Sequence, residues 1–327
     1  MKRILLALIA LVVIGTSAST AKQNSQGQTA SQPVLTPASY PPAVLKRDFK
    51  GQLPLTPGEK LEYDIRISKF PVYLKVGLFT MEYIGPVAPK TPASDQAKPQ
   101  PLIEGLNTEF TPTPDDRLLH LRATAVSSGL LLKLFGYSVK NRYETLVDDN
   151  DFSARLSLFE ERVGKRQRVQ TAVFDRSTRQ VRYLTTDLTK PNAPAQAKQL
   201  PLQDGMMSLL SGLFYLRLQD YKEGQMMRIP VTDDQKSYEF EILVGKRDKV
   251  KTECGSIDTI KLEPKIFGPG KFFRKKGEMS IWLTDNEQHI PVHLEAKGEA
   301  GKLSVKLIKK SCKILDLDQD EKEKKKN

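Results

Sequence analysis

The sequence predicts a mainly β protein: a large curved antiparallel sheet, half-barrel-like, carrying one packed apolar helix and a short helical patch. Three observations point there. Apolar and polar residues alternate over most of the body, short polar connectors join successive alternating runs, and one long stretch abandons that period for a helical one. Alternation buries one face of each strand and wets the other, which is the habit of antiparallel sheets.

Leu61, Tyr63, Ile65 and Ile67 alternate with Glu62, Asp64 and Arg66. Further strands are expected at 118–126, 142–148, 154–163, 166–174 and 180–186. Tyr238, Phe240, Ile242 and Val244 repeat the pattern, as do Met279 to Leu283, Ile290 to Ala296 and Leu303 to Leu307, for a total of about twelve strands. Asp175 to Arg179 and Asp285 to Gln288 have the composition of tight connectors. The helix is expected over Asp204 to Gln219, capped by Asp204, with Met206, Met207, Leu209, Leu210, Leu213, Phe214 and Leu216 covering more than half its circumference. Such a helix must lie against the sheet or across its concave face. Gly129 to Gly136 is a compact apolar patch, a short helix or a tight loop.

A chain of 327 residues with 39% apolar and 28% charged residues is not disordered throughout, and it is neither a cysteine-stapled miniprotein, a collagen nor a multi-span membrane protein. Residues 1–21 read as a signal peptide: Lys2 and Arg3 precede the apolar run Ile4 to Ile14, and Ser19 to Ala21 offers a small-residue cleavage site. A retained anchor is the alternative, but the run is short of the roughly 20 residues a spanning helix needs. Residues 22–54 read as a disordered linker, 55–317 as a single β-rich domain and 318–327 as a charged tail. The proline-rich stretches 86–101 and 190–201 read as surface loops.

Losing Lys2 and Arg3 lowers the formal charge from +12 to +10, so the mature chain stays basic. Phospholipid headgroups or acidic glycans suit such a surface, and export argues against nucleic acid. Lys271, Arg274, Lys275 and Lys276 are the candidate anionic contact, against the plainer reading of a solvated hairpin tip. Leu131, Phe135, Leu209 and Leu213 are the candidate apolar ligand wall, with Met206, Met207, Met226 and Met227 supplying adaptable surface; simple core packing is the alternative. Cys254 and Cys312 are either a disulfide or two buried thiols.

No catalytic, metal or cofactor residue is expected. His289 and His293 share a strand parity facing solvent and stand about 13 Å apart, too far for one metal; His120 is also expected on the wet face. Hydrolase motifs are missing, and the calcium-loop start at Asp316, Asp318 and Asp320 lacks its glycine and its final glutamate. Glu160 and Glu161, like Asp148 and Asp149, point to opposite faces of their strands. Arg217 ends the apolar helix, where it bonds helical carbonyls or a nearby carboxylate.

The order of segments carries a resemblance. Leu55 to Tyr63, Val76 to Met81, the helix Asp204 to Arg217, Gly224 with Ile229 to Val231, Gly255 to Thr259, Lys261 to Pro264 and Ile281 to Val292 together resemble the domain-of-unknown-function family DUF3108, also called the TapB family, over roughly 55–310. The resemblance implies an exported β-rich envelope protein of bacteria with no established catalytic residues. The expected function is non-enzymatic binding of a lipid, another amphipathic ligand or an envelope protein partner. A structural or assembly factor without a cavity is the alternative, and an envelope-polymer hydrolase a weaker one.

Overall fold

The structure, a computed structural model, describes residues 53–69, 71–87, 103, 110, 112, 116–128, 138–265, 278–298 and 301–315. The signal peptide, most of the linker, the patch 129–136, the basic cluster 271–276 and the charged tail lie outside them.

Among the described residues fifteen strands make one sheet. The first eight are β1 (Glu59–Lys69), β2 (Val72–Val87), β3 (Leu118–Ser127), β4 (Lys140–Asp148), β5 (Ala154–Val163), β6 (Arg166–Asp175), β7 (Gln180–Asp187) and β8 (Gln196–Pro201). After β9 (Met207–Ser208) and the helix α1 (Leu209–Tyr215) come β10 (Met226–Asp233), β11 (Lys236–Thr252), β12 (Gly255–Lys265), β13 (Glu278–Thr284), β14 (Pro291–Gly298) and β15 (Gly301–Leu307). The spatial order is β8-β7-β6-β5-β4-β3-β2-β1-β15-β14-β13-β12-β11-β10-β9. Strands consecutive in the chain are thus neighbours within each half, antiparallel except for β9 beside β10, and β1 joins the halves by pairing with β15.

Register aligns the apolar positions across strands: Tyr63 lies between Phe79 of β2 and Leu307 of β15. Register shifts at Ile65/Arg66, Tyr83/Gly85, Leu146/Val147, Val244/Arg247 and Trp282/Leu283 interrupt the ladders. Such bulges bend a strand and increase its twist, which curls a sheet of this width. Gly77 permits close approach beside the bulge in β2, where Val76 is the extra residue, because a Cβ there would stand 2.7 Å from the Val126 carbonyl oxygen.

The main core fills the inward face, from Leu61, Tyr63, Met81 and Leu121 round to Leu262, Leu283 and Leu307. Helix α1 belongs to it through Leu210, Phe214 and Tyr215. A smaller core covers the outward face of β3 to β6, where Ile103 and Phe110 meet Leu118, Leu146, Leu156 and Leu158. That second layer explains why β4 is buried on both sides instead of alternating.

Several expectations need correction. The helix is shorter than Asp204 to Gln219, because Met207 and Ser208 are drawn into a parallel bridge with Val231 and Thr232 of β10. Ser208, not Asp204, is the cap: its Oγ accepts the Ser211 N–H at 3.1 Å and lies 2.9 Å from Thr145 Oγ1 of β4. Asp204 instead pairs with Arg179 at the surface. Part of the stretch 190–201 is a strand, β8, which tolerates proline because it lies at the sheet edge with Pro201 at its end.

The three histidines are buried, not solvated. His120 bonds Glu144 at 2.5 Å within an outward ladder that includes Arg122, Arg142 and Glu160. Burial alone would raise the Glu144 carboxyl, but the His120 bond and the two arginines outweigh it and hold it below its ordinary range. His293 stacks on Trp282 at 4.7 Å and lies 3.0 Å from Ser304 Oγ; burial, helped by Lys306, lowers its pKa to about 4. His289 stands in the β13–β14 connector with φ 43°, edge-on to Tyr221.

Two long-range links tie down the ends of the fold. Cys254, in the β11–β12 turn, is joined by a disulfide to Cys312 in the terminal 3-10 helix Lys309–Ile314, with 5.4 Å between Cα atoms. Arg217, in the 3-10 turn after α1, is fully buried. Its Nη1 and Nη2 both bond the Glu59 carboxylate of β1, the latter at 3.2 Å. Nη2 also donates to the Pro54 carbonyl at 3.3 Å and Nε to that of Gln288 at 3.2 Å. The carboxylate option foreseen for Arg217 is therefore the one realised. Breaking a buried pair strands a charge, at about 3–5 kcal/mol. Arg217→Met should lower the unfolding free energy by that amount in urea titration, and adding Glu59→Leu should recover much of the loss.

Candidate functional site

The inward face of β4 to β7 carries polar groups where strand parity calls for apolar ones. Tyr143 and Phe159 are paired in register and stacked at 4.2 Å. Two residues beyond Phe159 on the same face stands Glu161, fully buried. Its Oε2 takes Arg168 Nε from β6 and lies 3.3 Å from Arg166 Nε. Arg168 also lies over the Phe159 ring, 5.6 Å from its centre. Among the described residues Glu161 Oε1 has no hydrogen-bond partner, and neither does Nδ2 of the buried Asn141 on β4.

The far end of the sheet folds back onto this region. The β10–β11 hairpin turns at Asp234 and Gln235, both left-handed at φ 43° and 63°. Two successive residues with positive φ match the right-handed twist of a two-residue hairpin, a place usually taken by Asn-Gly. Here the turn is held by contacts instead. Asp234 pairs with Arg168 at 3.1 Å, and Gln235 Nε2 donates to Thr185 Oγ1 of β7 at 3.0 Å. The Gln235 carbonyl accepts Lys198 Nζ from β8 at 2.7 Å. Thr232 Oγ1 donates to the Lys236 carbonyl, so the Tyr183 hydroxyl, 2.8 Å away, is the donor to Thr232. Side chains, not a backbone ladder, thus close the curled sheet at this seam.

Electrostatics follow from burial. Desolvation pushes the Asp233 carboxyl up to about 7, neighbouring Asp234 pushes it further and Arg168 opposes both. Desolvation also raises Glu161, against the pull of Arg168 and Arg166. Tyr143 and Tyr183 are raised, again mainly by burial, and Tyr238 is pushed to about 12. Such a cluster can hold a hydrogen-bonding group out of water. Among the described residues no three His, Cys, Asp or Glu side chains are arranged to hold a metal ion, and no helix is long and apolar enough to cross a membrane.

Of the expected apolar wall, Leu209 and Leu213 sit on α1, half-buried and packed against the main core. Leu131 and Phe135 lie outside the described residues, as do Lys271, Arg274, Lys275 and Lys276. Met206 and Met207 are buried and Met227 partly so, but Met226 points outward. Sequence reasoning set Glu161 aside as half of an acidic pair on opposite faces and did not single out Asn141, Arg168, Asp233 or Asp234. A signal existed: Glu161 shares the parity of Phe159, and Asp233-Asp234 interrupts two apolar-alternating runs.

Fold and site define a class: a β-rich protein whose curled sheet encloses an apolar helix and a buried polar cluster. The chain belongs to the DUF3108 family, described as a protein of unknown function, whose pattern matches residues 106–308. That match begins later than the expected 55 and leaves out β1 and β2, although they lie mid-sheet between β3 and β15; the second family name has no counterpart in it. No curated protein matches the chain. A β-barrel-like protein of the DUF1849 family from Brucella abortus is similar at 10% identity, over 78% of this chain and 97% of that one, with a TM-score of 0.46. A candidate exported protein with a YmcC-like fold from Bacteroides fragilis is similar at 9% identity, over 78% and 96%, with a TM-score of 0.29.

A carboxyl raised from 3.8 to about 7 on folding binds more protons folded than unfolded between those values, so it costs stability as pH rises through that window. Asp233→Asn removes this cost. Its melting temperature should approach that of the wild type near pH 4 and exceed it increasingly up to pH 7, with the gap constant above. Thermal unfolding across that range is the check.

Proposed function

We propose that this chain is an exported, non-enzymatic binding protein of the bacterial cell envelope, which holds an apolar or amphipathic ligand, or a protein partner, against the inward face of its sheet and helix. Export rests on the charged, apolar and small-residue order of residues 1–21. The observation that carries binding is the inward face around Tyr143 and Phe159, where stacked aromatic side chains adjoin buried polar atoms that have no partner among the described residues. Ligand sites have this composition: mostly apolar walls with a few convergent polar groups. Leu209 and Leu213, half-buried on α1, offer further apolar surface.

A second reading, an assembly factor that acts without a small-molecule ligand, is favoured by the way Leu210 and Phe214 fill the interior and by the exposed edge strand β8. Solvent extraction of the protein purified from its native envelope fraction, followed by mass spectrometry, separates the two. The binding reading expects a lipid-like species at near-stoichiometric amount. A clean extract from correctly exported protein would favour the assembly factor.

A further inference from the structure

We propose that Asn141 and Glu161 form a headgroup subsite for a neutral amphipath bearing a hydroxyl or an amide, an inference that rests on the binding reading above. The pairing of β4 with β5 sets the geometry. Arg142 lies opposite Glu160 and Tyr143 opposite Phe159, and beyond the strands Val139 bridges to Val163. Asn141 therefore falls opposite Glu161, on the face that carries Tyr143 and Phe159. The inward surface reads as three rungs: valine against valine, Asn141 against Glu161, and tyrosine against phenylalanine.

The polar rung is incomplete in a specific way. Asn141 Oδ1 accepts the Arg162 backbone N–H at 3.1 Å, which only the oxygen end of the amide can do. The end left over is the Nδ2 donor, in a side chain 1% exposed. Glu161 Oε2 is engaged by Arg168 and Arg166, which leaves Oε1 as an acceptor in a side chain 0% exposed. Opposite side chains on paired strands start about 5 Å apart at Cβ, yet this donor and this acceptor do not bond each other. Native folds seldom bury such atoms unpaired.

A group that satisfies both must accept one hydrogen bond and donate another. Hydroxyls and amides do so; a carboxylate or phosphate has nothing to donate, and an ammonium nothing to accept with. Charge points the same way, since among the described residues Glu161, Asp233 and Asp234 outnumber the two arginines paired with them, Arg166 and Arg168, and disfavour an anionic head. Apolar side chains stand on both sides of the rung. Ala125, Val139, Phe79 and Val163 cluster on one side and the Tyr143–Phe159 stack stands on the other.

Calorimetric titration of delipidated protein at pH 8 with monooleoylglycerol, oleate, methyl oleate and oleylamine, which differ in their heads, tests this. Monooleoylglycerol should bind about tenfold or more tighter than the other three, because a site built for a hydroxyl rejects analogues that cannot pair with it. Asn141→Leu removes the donor; in protein whose urea midpoint shows it folded, it should abolish that preference while leaving chain binding within about twofold. Equal affinities for all four probes, with only a water between Asn141 and Glu161 in a crystal structure, would overturn the subsite and leave apolar binding standing. No binding of any probe would overturn the subsite and the binding reading together.

Discussion

Everything in this fold depends on keeping an apolar helix inside a curled sheet, and the buried pair between Arg217 and Glu59 is what fixes it there. The helix α1 has seven residues, too few to be stable alone in water. It persists because Ser208 caps it against Thr145 of β4 at one end and the guanidinium just after it grips β1 at the other. Four hydrogen bonds, to Glu59, Pro54 and Gln288, make the burial of that charge tolerable. The contact spans 158 positions, so it forms only when the N-terminal strand is already in place.

The same demand shapes the seam. A sheet of fifteen strands must twist, and bulges along it turn that twist into curvature until its ends meet. Backbone ladders hold every neighbouring pair in the order, whereas the meeting of the β10–β11 turn with β6 to β8 relies on side chains. That difference brings charged groups to an inward face. Arg168 can serve Glu161 and Asp234 together only because the turn arrives beside it.

The strands were largely legible in the sequence, because period-two alternation is a local signal that burial enforces. The departures have physical causes. Met206 and Met207 read as helix by periodicity, but a bridge to β10 claims Met207 and Ser208 first. His120 and His293 have outward parity and are buried all the same, since long charged or aromatic neighbours on adjacent strands cover them. The site was less legible. Glu161 announces itself only by sharing the face of Phe159, and Asp234, which shares Arg168 with it, comes from the far end of the sheet order, a meeting that no local pattern encodes. The expected apolar wall drew on α1, whose Leu210 and Phe214 turn into the core while Leu209 and Leu213 remain half-buried.

The central claim is that α1 and its following turn are part of the global core and not a detachable flap. Native-state hydrogen exchange read by mass spectrometry tests it most directly. Amides from Leu213 to Leu218 should exchange only as slowly as those of β1 and β15, through global unfolding. Exchange of that segment orders of magnitude faster than β1, with the sheet intact, would contradict it.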